Sequence, residues 1–177
     1  EAIGSNSIAM GDQSTAVGEN SAAFGFKTTS SAINSLSIGA NTFAMGVQSF
    51  AGGLKSTASG DNSVAMGNNT TATGAQSFAG GLNSKASGEN SLAMGKETKA
   101  TAFASASFGE LSEANSNYSL SAGYYNQTEN PGEAAFGVYN KTTSGALFTV
   151  GDGAGSGASN VTRSNIISAQ KASNGNF

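Results

Sequence analysis

Asn62-Ser63-Val64-Ala65-Met66-Gly67-Asn68-Asn69-Thr70-Thr71-Ala72-Thr73-Gly74 holds two copies of one short pattern. In each copy a Ser or Thr and an Ala lie two residues apart and a Gly closes the segment: Ser63, Ala65, Gly67, then Thr70, Ala72, Gly74. Alternation with a period of two is the signature of a strand, whose successive side chains point to opposite faces. The small residues share one side and the variable ones the other, with the Gly at the strand end and two mostly polar residues forming the turn.

The pattern runs far beyond this stretch. In steps of seven from Gly4 to Gly137 there are 20 positions, and 16 are Gly; the exceptions are Ala32, Ala102, Ser116 and Asn130. Three residues after each position comes Ser or Thr, without exception for 17 repeats from Ser7 to Ser119. Two further on stands Ala, Ser or Thr throughout. A heptad of this kind is not a coiled coil, which needs large apolar residues at two of its seven positions. Gly every seventh residue would also cost a helix about 1 kcal/mol each time.

The variable side sets the true unit at fourteen residues. Alternate strands carry apolar outward pairs, among them Ile8/Met10, Leu36/Ile38, Val64/Met66 and Leu92/Met94; the strands between carry polar pairs such as Thr15/Val17, Thr57/Ser59, Lys99/Thr101 and Lys141/Thr143. Only Phe43/Met45 breaks the polar series, and residues 48–66 repeat as 76–94 with 15 of 19 positions identical. Ten stacked two-strand coils predict two parallel sheets back to back, a flattened β-solenoid about 47 Å long at ~4.7 Å per coil. Its interior is thin, because only Ser, Thr, Ala and Gly point inward. The large apolar residues form one outward stripe: Ile8, Met10, Phe24, Leu36, Ile38, Phe50, Val64, Met66, Phe78, Leu92, Met94, Phe108, Leu120 and Phe136. Volumes along it compensate, with Gly52 beside Phe50, Gly80 beside Phe78 and Ala beside Phe24, Phe108 and Phe136. Such a stripe exceeds what a monomer exposes and predicts an obligate oligomer.

Composition agrees. The 177 residues include 25 Gly, one Pro and no Cys, His or Trp, and charged residues make up 11%. Absent His removes the commonest general base, and absent Cys removes thiol, disulfide and zinc–thiolate chemistry. A net charge of −3 with eight scattered cations leaves no nucleic-acid footprint, and no apolar run reaches the ~20 residues of a membrane span. The acids Asp12, Glu19, Asp61, Glu89 and Glu110 fall at turns. The Ser and Thr ladders have no His or Lys base at fixed spacing. The expectation is therefore no enzyme, no catalytic residue, no cofactor and no metal. A ranked Thr surface for ice or a crystalline polymer is interrupted by Lys85, Lys99, Glu113, Gln127, Glu129 and Lys141, and the bland reading is a solvated strand.

The units Asn6-Ser-Ile-Ala-Met-Gly11, Asn62-Ser-Val-Ala-Met-Gly67 and Asn90-Ser-Leu-Ala-Met-Gly95, the first two continued by x-x-Ser/Thr-x-Ala-x-Gly and the third by the same pattern closing in Ala102, resemble the head repeat of YadA-like trimeric autotransporter adhesins. The resemblance covers residues 1–143. It implies an all-β, left-handed parallel β-roll (β-solenoid) of ten 14-residue coils, assembled as an intertwined homotrimer; the hand and the number three come from the family. It also implies a bacterial cell-surface location, outer-membrane anchorage through a region further along the gene, and attachment to a host matrix protein or a cell-surface receptor or glycan. No nucleic acid and no membrane contact by this chain are expected. Ligand contacts by resemblance would fall on Asn62, Ser63, Val64, Ala65, Met66 and Gly67 and on Asn90, Ser91, Leu92, Ala93, Met94 and Gly95, residues that also build the roll.

Residues 144–177 resemble the neck that follows such heads and leads to a stalk. Phe148-Thr-Val-Gly151 keeps the apolar phase, with Leu147 in place of the inward Ser. The Gly-rich run from Asp152 to Asn160 lacks the Gly-Lys-Ser/Thr of a phosphate loop and reads as a crossover. The ending also suits a phage tail-fibre connector, which makes a phage receptor-binding or spacer segment the alternative. The start at Glu1, without Met, reads as an excised piece. The late tyrosines Tyr118, Tyr124, Tyr125 and Tyr139 lie at or near turns, either as one contact patch or as a cap on the roll.

Overall fold

In the computed structural model the described residues, 1–140, 143–155, 161–162 and 165–170, form strands and turns with no helix. Each 14-residue unit supplies one long strand, such as Phe50–Leu54 or Val64–Asn68, and one short strand, such as Thr57–Ala58 or Thr71–Ala72. The long strands stack into a 12-stranded sheet and the short ones into a nine-stranded sheet. Within the repeat every pairing is parallel and joins residues fourteen apart: Phe50 with Val64, Val64 with Phe78, Thr57 with Thr71. Constant unit length keeps this register, since a slip of one residue would turn every inward Ala outward. The chain is a parallel β-solenoid of about ten turns, as the period requires.

The two sheets meet through very small side chains. Ala44, Ala51, Ala58, Ala65, Ala72, Ala79, Ala86, Ala93 and Ala100 form one fully buried core cluster. The Ser/Thr column beside it is buried too, and part of it is wired between coils. Thr28 Oγ1 donates to Ser14 Oγ (2.9 Å), which donates to the Gly25 carbonyl (2.7 Å). Thr70 and Ser56, and Thr98 and Ser84, repeat the arrangement. In the other column Ser49, Ser63, Ser77 and Ser91 are buried with no hydroxyl partner in the structure.

The glycines divide into two kinds, a split that differs from the simple strand-end role read from sequence. Gly18, Gly46, Gly60, Gly74 and Gly88 follow the short strand and open the corner at ordinary φ. Those from Gly25 to Gly137 in the other phase lie inside the long strand, as its fourth residue, with φ between 92° and 141°. A Cβ would meet the next coil in both phases, 2.5 Å from the Gly88 carbonyl carbon at Gly74 and 2.9 Å from the Gly81 carbonyl carbon at Gly67; what sets the second kind apart is its positive φ, a backbone region suited to Gly. All four exceptions, Ala32, Ala102, Ser116 and Asn130, fall in the phase of ordinary φ.

Each corner also needs one left-handed residue. Asn62 (φ 56°) and Asn69 (φ 57°) flank their long strand, and Asn recurs at these places because its short amide tolerates that region. Lys55, Leu111, Tyr118, Tyr125 and Tyr139 adopt it as well, at a cost of about 1–2 kcal/mol each.

Towards the C-terminus the inward column enlarges. Asn126, Glu133 and Asn140 are fully buried where Ser or Thr stood before. Asn126 Nδ2 donates to the Ala122 and Gly137 carbonyls, and Glu133 Oε2 accepts from the amides of Glu129 and Asn130. The parallel stack continues through Ala146–Asp152, which pairs with Ala134–Val138. Asn165–Gln170 then pairs antiparallel with that strand and covers its edge. Ala154–Gly155 pairs antiparallel with Val161–Thr162, and among the described residues the chain continues as the strand Asn165–Gln170 rather than as a helix. Lys141, residues 156–160, Arg163 and Ser164 lie outside the described residues.

Candidate functional site

The outer surface of the long-strand sheet is where the sequence-predicted residues converge. Strict register stacks the first outward positions as Ile8, Ala22, Leu36, Phe50, Val64, Phe78, Leu92, Ala106 and Leu120. The second column runs Met10, Phe24, Ile38, Gly52, Met66, Gly80, Met94 and Phe108. None of the fourteen stripe residues is buried in the single chain; Met10 is 64% exposed and Met66 48%. The volume compensation read from sequence has a direct cause. A Cβ on Gly52 would lie 2.9 Å from Cε1 and Cζ of Phe50, so the ring lies down over the glycine; Phe78 covers Gly80 in the same way.

The stripe is wider than the sequence suggested. Because the long strand continues one residue past its Gly, Phe26, Leu54, Leu82 and Val138 add a third, exposed position beside it. The signal was available in the apolar residue after Gly25, Gly53, Gly81 and Gly137, at a place otherwise taken for turn. Farther along this third column the residues become charged, and Lys96 Nζ meets Glu110 Oε1 at 2.7 Å.

The two six-residue motifs divide by environment. Ser63, Ala65, Ser91 and Ala93 are buried inside the roll, and Gly67 and Gly95 hold positive φ within their strands. Asn62 and Asn90 occupy exposed left-handed corners, and Val64, Met66, Leu92 and Met94 face out of the long-strand sheet, half-buried or exposed.

The opposite, short-strand face is mostly polar. Thr15, Thr29, Thr57 and Thr71 stand in one column, which Phe43 interrupts in register between Thr29 and Thr57. Farther on, Lys99 Nζ pairs with Glu113 Oε1 at 2.6 Å. Burial alone would raise the Glu113 carboxyl. Hydrogen bonds from Lys99, Asn115 and Gln127, with the Lys99 charge, outweigh it and hold the group below the usual range. No group of three or more metal-ligating side chains occurs among the described residues.

The late tyrosines separate onto opposite edges of the roll. Tyr139, 2% exposed, stacks on Tyr125 with centroids 5.2 Å apart, and Tyr124 packs edge-on against both. Tyr118 lies at the other corner, edge-on to Phe103 at 5.5 Å.

The YadA head domain repeat (2 copies) matches residues 2–28, 16–42, 58–84, 72–98 and 86–102. The chain carries a YadA-like head domain. Successive matches step by fourteen residues, one turn of the solenoid. They pause across residues 43–57, where Phe43 and Met45 break the polar series although the strand register continues unbroken. YadA-like heads form a family of structural adhesin domains that assemble as trimers and bind host ligands. No curated protein matches the chain.

Proposed function

We propose that this YadA-like chain is the head of a trimeric, non-enzymatic adhesin displayed on a bacterial surface and anchored in the outer membrane through another part of the protein. Three left-handed rolls pack through the long-strand faces, at Ile8, Met10, Phe24, Leu36, Ile38, Phe50, Val64, Met66, Phe78, Leu92, Met94, Phe108, Leu120 and Phe136. Residues 1–143 form the head and 144–177 the connector towards a stalk. Attachment to a host matrix protein or cell-surface receptor involves the motif positions 62–67 and 90–95, with Asn62, Val64, Met66, Asn90, Leu92 and Met94 as the side chains able to reach outward.

The observation that carries this reading is the unburied apolar stripe over a core of Ala and Ser. Full burial of a large apolar side chain is worth about 1.5–3 kcal/mol. Completing burial at fourteen half-exposed positions therefore supplies roughly 10 kcal/mol or more per chain, comparable with the ~4–15 kcal/mol that association costs. Many weak contacts repeated on three chains then add through multivalency.

Light scattering on the purified chain tests assembly: wild type is expected at three times 17.4 kDa. Phe78→Asp, which would bury an unpaired carboxylate, is expected to stop assembly. A stable wild-type monomer, or a Phe78→Asp trimer, refutes the packing. Binding to immobilised collagen, fibronectin and laminin tests attachment, and the absence of binding to all three refutes the matrix-adhesin reading.

A further inference from the structure

Tyr118 is out of place as a structural residue. The equivalent corner positions in other coils hold Asn6, Asn20, Asn34, Gln48, Asn62, Gln76, Asn90, Ala104 and Gly132, none of them aromatic. Tyr118 holds φ 59° with a bulky ring, and the residue is 65% exposed. Tyr125 and Tyr139 are equally strained, but they stack on one another, so packing compensates them. For Tyr118 the ring contact is Phe103, one coil earlier and itself 38% exposed. Lys55 holds the same left-handed backbone at an exposed corner, so what sets Tyr118 apart is the pair of exposed rings it forms with Phe103.

The pair makes a small L-shaped corner. The rings stand at 83° to each other, and exposed polar residues flank Phe103 on the neighbouring coils, Glu89 and Asn90 one coil before and Asn117 one coil after. Asn117 Oδ1 accepts the Phe103 amide (3.2 Å), leaving its Nδ2 without a partner among the described residues. Glu89, Phe103 and Asn117 follow one another on successive coils, so the corner spans about 10 Å along the roll axis. The corner residues 88–90, 102–104, 116–118 and 130–132 include no Lys or Arg.

We infer that the Phe103–Tyr118 corner binds a neutral or N-acetylated pyranose. Two rings are far too little for a stable protein interface, which buries about 800 Å² on each partner. A pyranose matches in size and in kind: its C–H face packs on aromatic carbon, and its hydroxyl rim finds a carboxylate and amides. A carboxylate with no cation disfavours acidic sugars. The site deepens the adhesin reading and rests on it for its biological setting, adding a ligand class that the six-residue motifs do not specify.

Saturation-transfer NMR on the whole chain tests it, with the methyl glycosides of glucose, galactose, mannose, N-acetylglucosamine and sialic acid as probes. At least one neutral sugar should show ring-proton saturation, and Tyr118→Asn should reduce it at least fivefold. Asn is native at five equivalent corners, so this variant should melt no lower than wild type. Phe43→Thr, which removes an exposed ring from the opposite, short-strand face and continues its Thr column, should leave saturation unchanged. No saturation by any neutral sugar, an undiminished signal in Tyr118→Asn, a lower melting temperature for it, or stronger saturation of the sialoside would each overturn the site. A chain that trimerises and holds matrix proteins but fails these tests loses this site alone, whereas sugar binding by a monomer would refute the assembly reading alone.

Discussion

The two kinds of glycine make a sharp pair of perturbations, Gly67→Ala and Gly74→Ala. A methyl group on Gly67 would lie 2.9 Å from the Gly81 carbonyl carbon and closer still to its oxygen, while φ stays at +141°. A methyl group on Gly74 would lie 2.5 Å from the Gly88 carbonyl carbon, but φ there is ordinary. Forcing the coils apart costs about 1–3 kcal/mol at either position. A non-glycine residue at strongly positive φ adds about 1–3 kcal/mol at Gly67 only. Loss of glycine's unfolded-state freedom returns roughly 0.4–1 kcal/mol in both variants and cancels in the comparison. Ala32 and Ala102 already stand in the phase of Gly74, so Gly74→Ala should fold. At ~2–4 °C per kcal/mol for a chain of this size, Gly67→Ala should melt about 2–12 °C below Gly74→Ala. Thermal unfolding followed by circular dichroism, at equal protomer concentration because assembly shifts the midpoint, makes the measurement. Equal melting temperatures, or a less stable Gly74→Ala, would refute the assignment of separate roles to the two phases.

Three further outcomes follow from side-chain detail. Ser84→Ala should cost about 1–3 kcal/mol, since it strands the buried Thr98 hydroxyl, whereas Ser77→Ala, which removes a hydroxyl without a partner, should cost less; paired denaturant titrations compare them. Glu113 is held below its ordinary range, so its stabilisation is complete above the unfolded value of ~4.3 and is lost as pH falls through the lower folded value. Glu113→Gln should therefore show a shallower fall in melting temperature over that acid window than wild type. Lys55→Asn should stabilise the chain by up to about 1 kcal/mol, because Lys55 holds a left-handed backbone at an exposed corner, and a lower melting temperature would contradict that account.

Much of the fold was legible in the chain because its causes are local. Alternation of Ser63, Ala65 and Gly67 against Val64 and Met66 marks the inward and outward faces, and repetition turns one strand into a solenoid. The same patterning exposed the apolar stripe, since a residue denied a place inside a roll of Ala and Ser has to lie outside it. Less legible was everything that depends on which residues meet across coils and corners. Phe26, Leu54 and Leu82 looked like turn residues until the long strand was seen to run past its Gly. The four late tyrosines are close in sequence, but the corner phase sends Tyr118 to one edge and Tyr124, Tyr125 and Tyr139 to the other.

By itself, the sequence determined the fourteen-residue period, the thin small-residue interior and the one apolar face, because strand alternation and unit length are properties of a chain read one residue at a time. Tertiary structure decided which glycines must be glycine, which corner residue turns left-handed and which aromatic rings meet. Those follow from the approach of each coil to the next, a distance set by neighbours fourteen residues away that no local pattern contains.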